Sequence, residues 1–561
     1  MADAARASKD HVVVVGAGIG GLVSALVLAC RGLPVTVVEA ADSPGGKMRQ
    51  VLVDGVAIDA GPTVFTMRWV FDQILAEAGT TLEQVLRVEP LSVLARHAWR
   101  GHDKRLDLFA DLSRSAEAIG EFSSPAEARR FLGFCAQAKR VYSTLEGPYI
   151  RSERPTLTGL ARDLGPRGLA TLASLGPFAS LWKSLATHFH DPRLQQLFGR
   201  YATYCGASPW AAPATLMLVA QVELDGVWAV DGGMRAVALA LERLARQRGV
   251  VFHYGQACER ILLRSGRVCG VQLAGGGAAI AADAVIFNGD TNALASGLLG
   301  PDVQRAVPAT LRQRRSLSAV TWAMHTRAEG TFPLVRHNVF FDDDYASEFD
   351  DIFKRGRLPR QGTVYVCAQD RQGGGSAPGR QAGPIDSGRQ AGPVDSARQA
   401  GPANSGRAER LLCLVNAPAD GDAAEPHSAH REEIEPCEHR SLALLRQCGL
   451  DLSPTAQQVL RTTPQDWHRR FPATGGALYG TATHGWMSSF NRPSASSAIP
   501  GLYLAGGSVH PGPGVPMAAM SGRLAAATLL AHLDSTSRSR RVRISGGTST
   551  PSATTAASVS R

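Results

Sequence analysis

An α/β fold carrying a largely helical insertion is what this sequence predicts, and three observations predict it. Four consecutive valines, Val12–Val15, run directly into the glycine-dense GAGIGG (16–21) and then an apolar stretch of helical length ending near Arg31. A second β-branched run, PVTVVEA (34–40), follows at once. After a middle region, 110–225, that reads as largely helical, residues 233–290 return to alternation. There a helix, MRAVALALERLARQRG, is followed by the strand-like VVFHY, ERILLRSG, RVCGVQLA and ADAVIFNGD. β-Branched runs of strand length punctuated by helix-length segments are the signature of an α/β protein.

The first element admits two readings. Val12 to Cys30 carries no charge over 19 residues, close to a membrane-spanning or signal-peptide length. A signal peptide, however, has a positive n-region, a leucine-rich core and a small-residue cleavage site, and this stretch shows valines followed by glycines. Gly16 permits a tight turn after the strand, and Gly18 lets backbone approach a pyrophosphate. Gly20 extends the glycine turn, and Gly21 lets the helix pack close to the strand, with the helix N-terminus facing the phosphates. Glu39, at the end of the next strand, is placed to accept hydrogen bonds from ribose hydroxyls. Strand, glycines, helix, strand and acid together predict a dinucleotide site.

Three later stretches favour FAD over NAD. ADSPGGKMRQ (41–50) offers a second phosphate-approaching turn at Gly45 and Gly46, with cationic cover from Lys47 and Arg49. DAGPT (59–63) adds Gly61, Pro62 and Thr63. Near the far end, PGLYLAGGSVHPGPGVPMAAMSG (500–522) runs from a strand through Gly506, Gly507 and Gly514 into a small-residue helix opening at Val515 and Pro516. A second helix N-terminus suits the ribityl and isoalloxazine half of a flavin.

Composition narrows the rest. The chain has 561 residues, 44% of them hydrophobic and 19% charged, with a formal charge of +10. Seven of those charges fall in two biased segments. The segment 371–407 has five arginines against two aspartates, and 533–561 has five against one. The remaining body is mildly basic without a basic face interleaved with aromatics, so nucleic acid is not an expected partner. The nine cysteines include no CxxC pair, which points to buried small hydrophobes in a reducing compartment rather than zinc or a redox couple. His188 and His190 are a candidate metal pair, but i,i+2 spacing does not place two ligands on one helix face; Asp191-Pro192 reads as a helix start, and no metal is expected. The nonapeptides GRQAGPIDS, GRQAGPVDS and ARQAGPANS (379–405) have too little to bury for a solenoid. They read as a loop insertion between GTVYVCAQ (362–369) and ERLLCLVNAP (409–418), two runs suited to form a hairpin.

Taken in order, residues 1–10 form a disordered lead. Residues 11–75, 226–310 and 475–532 make a discontinuous FAD-binding domain. Residues 76–225 and 311–474 make a substrate and membrane-docking domain, 373–407 a disordered insertion and 533–561 a disordered basic tail. GAGIGGL, VVEA, PGGK, DAGPT, VDGGMRAVALAL, FPATGGALYG (471–480) and GLYLAGGSVHPGPGVPMA together resemble the FAD-dependent carotenoid desaturases of the phytoene-desaturase type. GPTVFTMRWVFD (61–72), LARHAWRGHDKRLDLFAD (94–111) and FHDPRLQQLFGRYATYCGASPWAAPATL (189–216) resemble most closely the 1-hydroxycarotenoid 3,4-desaturases of purple phototrophs.

That resemblance implies a Rossmann-like FAD domain with an inserted mixed, largely helical substrate domain, the architecture of amine oxidases and GDP-dissociation inhibitors. It also implies desaturation of an acyclic 1-hydroxy or 1-methoxy carotenoid at C3–C4, with hydride passing to flavin and a proton lost. Such chemistry asks the protein to hold a long apolar rod against the flavin and exclude water, and needs no catalytic triad. His510 is the candidate catalytic residue, shaping the pocket or shuttling a proton, against the alternative of capping its own turn. Asp59 either meets the cofactor or ties the DAGPT turn. Thr66, Arg68, Trp69 and His97 are candidates for the hydrogen bond to a substrate hydroxyl; for Arg68 and His97 the competing readings are a surface ion pair and packing under a strand. PATLMLVAQVELDGVW (213–228) and LASLGPFASLW (172–182) are candidates for monotopic membrane docking or for helical core. The expected location is peripheral, on the cytoplasmic side of the inner or intracytoplasmic membrane, with no signal peptide. The electron acceptor stays open. Rival readings are desaturation at another position, a carotenoid isomerase using reduced FAD, a lipid-binding protein of the dissociation-inhibitor type, and an amine oxidase.

Overall fold

The structure, a computed structural model, describes residues 10–153, 156–174, 179–371, 406–423 and 429–542. A five-stranded parallel sheet is its first centre. The strands are ordered Leu502–Leu504, Ala284–Phe287, Val12–Val15, Val35–Val38 and Val251–His253, so strands from both ends of the chain meet in one sheet. The opening valines pair on both sides, Val12 with Ala284 and with Val35. They explain their own composition. Val12 and Val14 pack into the cluster formed with the helices Ile19–Cys30, Met234–Gln247 and Val515–Val542. Val13 and Val15 face the opposite layer, where the antiparallel strands Cys258–Arg264, Arg267–Leu273 and Ala279–Ala281 cover the sheet. A strand covered on both faces has no polar side, so it reads as an unbroken apolar run.

The inserted part has two layers. Residues 112–224 supply mostly helices, among them Leu112–Phe122, Pro125–Leu145 and Pro192–Gly199, whose inward faces share one aromatic-rich core with Phe131, Phe134, Phe189 and Phe198. Against them lies an eight-stranded mixed sheet built around the long strand Ser318–Gly330, more β structure than the sequence assigns to this domain. The expected hairpin is present: Val364–Ala368 pairs antiparallel with Ala408–Ala417, Val364 opposite Val415 and Cys367 opposite Leu412. The repeat 379–405 that separates these strands, and the lead 1–9, lie outside the described residues.

Two boundaries differ from the sequence division. The hairpin Gln50–Val53 and Val56–Asp59 falls within the expected cofactor segment, yet Val53 and Ile58 pack with Ala323, Cys367 and Leu412 of the eight-stranded sheet. The last helix runs to Val542, so 533–542 belongs to a helix rather than to a disordered tail. Those ten residues hold four arginine and leucine positions and no glycine or proline to stop the helix. Residues 543–561 lie outside the described residues.

Candidate cofactor site and apolar cavity

The glycine turn after the first strand is built by close approach. Gly16 has φ +100°, and an ideal Cβ on Gly21 would lie 2.0 Å from the Gly16 carbonyl oxygen. On Gly18 it would lie 2.8 Å from Asn288 Nδ2, and on Gly20 2.6 Å from Asn288 Oδ1. Asn288, which sequence reasoning passed over, follows the strand Ala284–Phe287 and donates to the Gly16 carbonyl at 3.2 Å. Its signal was its position, at the carboxyl end of a strand beside the glycine strand, where open α/β sheets place their ligands.

The other predicted cofactor residues gather here. Glu39 accepts from the Ala17 amide at 2.6 Å and the Ala41 amide at 2.8 Å, which fixes its carboxylate next to the glycine turn. Gly45 donates its amide to the Ala17 carbonyl at 2.9 Å and bridges Gly18, and Gly46 brings its backbone to that same residue. The Lys47 ammonium donates to the Leu478 carbonyl at 2.6 Å and sits 5.3 Å from the Phe471 ring, and burial pushes its pKa down. Gly61 lies so close to this segment that a Cβ would fall 1.8 Å from the Lys47 carbonyl oxygen.

Arg49 sits differently from the phosphate cover the sequence assigns it. Its guanidinium stacks 5.0 Å from the Trp467 ring and donates to Thr462 Oγ1, because the chain turns here into the strand Gln50–Val53 under the eight-stranded sheet. Burial, with Arg470 nearby, lowers its pKa to about 10. Asp59 ties rather than binds: its Oδ2 accepts the Met234 amide at 2.6 Å, holding the start of the helix Met234–Gln247.

The far-end loop converges on the same place. Gly506, at φ +110°, donates its amide to Ser521 Oγ at 2.7 Å, and Gly522 packs the last helix on the first, where a Cβ would lie 2.1 Å from the Gly20 carbonyl oxygen. A second residue missed in sequence, Arg492, fastens this loop. It is buried and donates to the carbonyls of Tyr479, Thr481 and Gly507. Two helix N-termini, at Ile19 and Val515, thus come from helices packed together, with glycine turns in front of both. These residues fit FAD: bare amides and positive helix ends suit a pyrophosphate, and Glu39 suits a ribose.

From Gly61, Pro62 and Thr63 and from Gly512–Met517 a cavity of about 660 Å³ extends into the inserted domain. Most of its wall is apolar, with Leu145, Ile150, Leu160, Leu164, Leu216 and Val219 among the lining residues. Of the predicted substrate residues only Thr66 lines it. Arg68 instead pairs with Asp72 and Glu83 at the surface, one helical turn along and across a loop. Trp69 turns towards Tyr142, donating to its hydroxyl at 3.1 Å, with Arg151 stacked 3.8 Å from its ring. His97 is buried within the strand Val93–Trp99, bonded to the Leu106 carbonyl and stacked on Phe341; burial pushes its pKa down to about 3.

His510 is likewise not on the cavity wall, although Pro511 is. Its Nε2 bonds the Ser152 carbonyl at 3.0 Å, its ring stands edge-on to Tyr149, and burial lowers its pKa to about 4. It braces the glycine-proline loop against residues 149–152, which corrects the shuttle reading. His188 ends the helix Leu181–His188 edge-on to Phe134, Asp191 caps the next helix as expected, and no metal-ligating cluster occurs among the described residues.

A model of the flavin-containing amine oxidoreductases matches residues 19–530. The hydroxyneurosporene desaturase of Rubrivivax gelatinosus is 66% identical over 559 residues, covering 99% of each chain. The protein of the same description from Cereibacter sphaeroides is 43% identical, covering 95% of this chain and 100% of the relative. Among solved structures, a triple variant of putrescine oxidase shares the fold with a TM-score of 0.57 at 16% identity, over 93% of this chain and 99% of its own.

Proposed function

The chain belongs to the flavin-containing amine oxidoreductases, and from that premise we infer that it is an FAD-dependent carotenoid desaturase acting at C3–C4 of an acyclic 1-hydroxy or 1-methoxy carotenoid. The observation that carries this is the cavity: a largely apolar channel that ends where Gly61–Thr63 meet the second helix N-terminus. Bound there, FAD supplies the acceptor for a hydride leaving a saturated carbon of the substrate.

The chain's own residues do the remainder. Leu145, Ile150, Leu164 and Val219 clasp an extended hydrocarbon and keep water from the reacting carbons. Gly16, Gly18, Gly45 and Gly46 leave room for the cofactor's phosphates, and Glu39 positions its ribose. Lys47, Arg492 and Asn288 hold the loops around the cofactor site. No nucleophile–base pair is called for, because the proton lost on desaturation becomes acidic once hydride has gone.

A carotenoid reaches the cavity from lipid. Among the described residues no helix is long and apolar enough to cross a membrane. Leu169 and Trp486, 44% and 46% exposed, both line the cavity, and they support a mouth that rests on the cytoplasmic face of the inner or intracytoplasmic membrane. Of the two docking stretches expected from sequence, 213–228 is largely core: Met217 and Val227 are buried and Leu216 lines the cavity. Leu172 and Ala173 do lie on the cavity wall.

The test is turnover by FAD-reconstituted protein in liposomes, given neurosporene and 1-hydroxyneurosporene separately, with products resolved by absorption spectra. One additional conjugated double bond, formed in the hydroxylated substrate, is the expected result. Isomerisation without gain of conjugation, or desaturation elsewhere in the chain, refutes the C3–C4 assignment.

A further inference from the structure

The cavity wall is largely apolar, and one polar patch on it holds groups without partners. Tyr345 lines the cavity, is 7% exposed, and its hydroxyl has no hydrogen-bond partner among the described residues. Its ring is fixed by Trp210 and Phe349, with centroids at 5.6 and 5.1 Å. Arg200 lines the same wall. Its Nε is buried without a partner, and among the described residues its guanidinium makes one hydrogen bond, a long 3.4 Å contact to the Tyr204 hydroxyl, beside a contact with the Tyr204 ring.

Glu223, the acid whose charge reaches Arg200, forms no direct ion pair with it. Both oxygens of Glu223 are taken by phenols, Tyr201 at 2.7 Å and Tyr204 at 2.6 Å, and no carboxylate within 4.0 Å of the guanidinium is found among the described residues. Burial works against the charge on Arg200, while the nearby carboxylate of Glu223 favours it, and the guanidinium stays protonated. A buried, underused guanidinium costs stability unless a ligand completes its bonds, so it marks a binding position.

A third group completes the patch. Asn416 lines the cavity and commits its Nδ2 to Glu348 at 2.8 Å, leaving an amide oxygen, an acceptor, on that side chain. Glu348, fully buried, also accepts from Thr363, which locks the patch from behind.

The patch stands close to the flavin end. Thr63 Oγ1 lies 2.7 Å from the Tyr365 hydroxyl, and Tyr365 pairs with Leu414. Asn416 is two residues along the same strand on the same face, roughly 7 Å further. A C1 oxygen is only a few bonds from C3, so the groups that bind it have to stand at the same end of the cavity as the reacting carbons.

We propose that Arg200, Tyr345 and Asn416 form a subsite for the tertiary hydroxyl or ether oxygen at the end of the carotenoid next to the reacting carbons. The subsite rests on the desaturase assignment above. Arg200 and the Tyr345 hydroxyl donate to the substrate oxygen, and Asn416 Oδ1 or Tyr345 Oη accepts the substrate hydroxyl proton. A methyl ether keeps the two donors satisfied. An unsubstituted isoprenoid end leaves them bare, so the site selects against it. Of the residues foreseen from sequence for this role, Arg68, Trp69 and His97 lie off the cavity wall and Thr66 lines it.

The experiment measures kcat/KM for 1-hydroxyneurosporene and for neurosporene with wild type, Tyr345→Phe and Arg200→Met, all flavin-loaded and checked by thermal unfolding. The ratio of the two kcat/KM values should fall by about tenfold or more in Tyr345→Phe, the usual worth of one hydrogen bond to a buried group, and further in Arg200→Met. Selectivity held within twofold of wild type by Tyr345→Phe, which deletes a single oxygen and decides the question even where Arg200→Met fails to fold, overturns the subsite and leaves the desaturase standing. Equal turnover of the two carotenoids by wild type does the same. Absence of turnover of either carotenoid by flavin-loaded wild type overturns the desaturase assignment and the subsite together.

Discussion

Gly21→Ala probes whether the first helix must lie where it does. An ideal Cβ at this position sits 2.0 Å from the Gly16 carbonyl oxygen, so reaching even a tight 3.0 Å contact requires a shift of about 1 Å. The obstacle is backbone, not a flexible side-chain tip, and Gly16 is held by its amide bond to the Val38 carbonyl at 2.8 Å. Overpacking of this kind costs about 1–3 kcal/mol. The same displacement stretches amide–phosphate hydrogen bonds from about 2.9 Å towards 3.9 Å, beyond their useful range, and each charge-assisted bond lost is worth about 1.5–3 kcal/mol. FAD affinity should therefore drop by ~10- to 100-fold. The assay is titration of apoprotein with FAD, followed by flavin fluorescence and thermal unfolding, with Gly133→Ala as the control. Gly133 is exposed in the helix Pro125–Leu145 with nothing within 4 Å of a Cβ, so alanine there should be neutral or stabilise by up to about 1 kcal/mol. A Gly21→Ala protein that binds FAD as tightly as wild type and melts at the same temperature would falsify the close-approach account.

Glu39→Ala removes the acceptor of two backbone amides and the ribose-facing carboxylate, and should weaken FAD binding by about tenfold or more in the same titration. Arg492→Lys cannot reproduce three carbonyl contacts from one forked group. Holoprotein stability should fall by about 1–3 kcal/mol in denaturant unfolding, and flavin should be lost more readily on dilution. Burial depresses His97 and His337 to about 3 and His484 and His510 to about 4, against 6.5 for a free imidazole. The unfolded chain binds these protons first as pH falls. Their contribution is therefore complete above about pH 6.5 and is lost between there and about pH 3, and unfolding midpoints at pH 7 and 5 should show the decline. Replacement of His510 by Gln should leave the pH dependence of turnover between pH 6 and 8 unchanged, because a group titrating near 4 gives no inflection there.

Where the sequence was legible, geometry allowed only one solution. Val12–Val15 is all valine because neighbouring strands and two covering layers enclose it, and Gly21 and Gly61 are glycines because backbone stands 2.0 and 1.8 Å from a Cβ position. Local rules of this kind leave residue-level marks, and the cofactor floor could be read from them. The eight-stranded sheet left weaker ones. Its central strand Ser318–Gly330 reads SAVTWAMHTRAEG, with Thr321 and Thr326 buried among apolar neighbours, and the other strands of the sheet come from segments as distant as 93–99 and 459–462. Pairing across such separations is set by tertiary packing and not by any local pattern.

The substrate side failed for a related reason. Arg68 and Arg200 are indistinguishable as residue types, and what separates them is which groups surround them after folding. Arg68 finds Asp72 four residues on and Glu83 across a loop, so its charge is spent at the surface. Arg200 follows a largely buried helix, Pro192–Gly199, and the carboxylate of nearby Glu223 is already claimed by Tyr201 and Tyr204. An arginine left short of partners beside an apolar channel arises only from that competition, which involves residues 201, 204 and 223 and the wall opposite at 345 and 416. No spacing rule links those positions. The polar group a hydroxylated substrate requires could thus be anticipated from chemistry, while its address had to come from the fold.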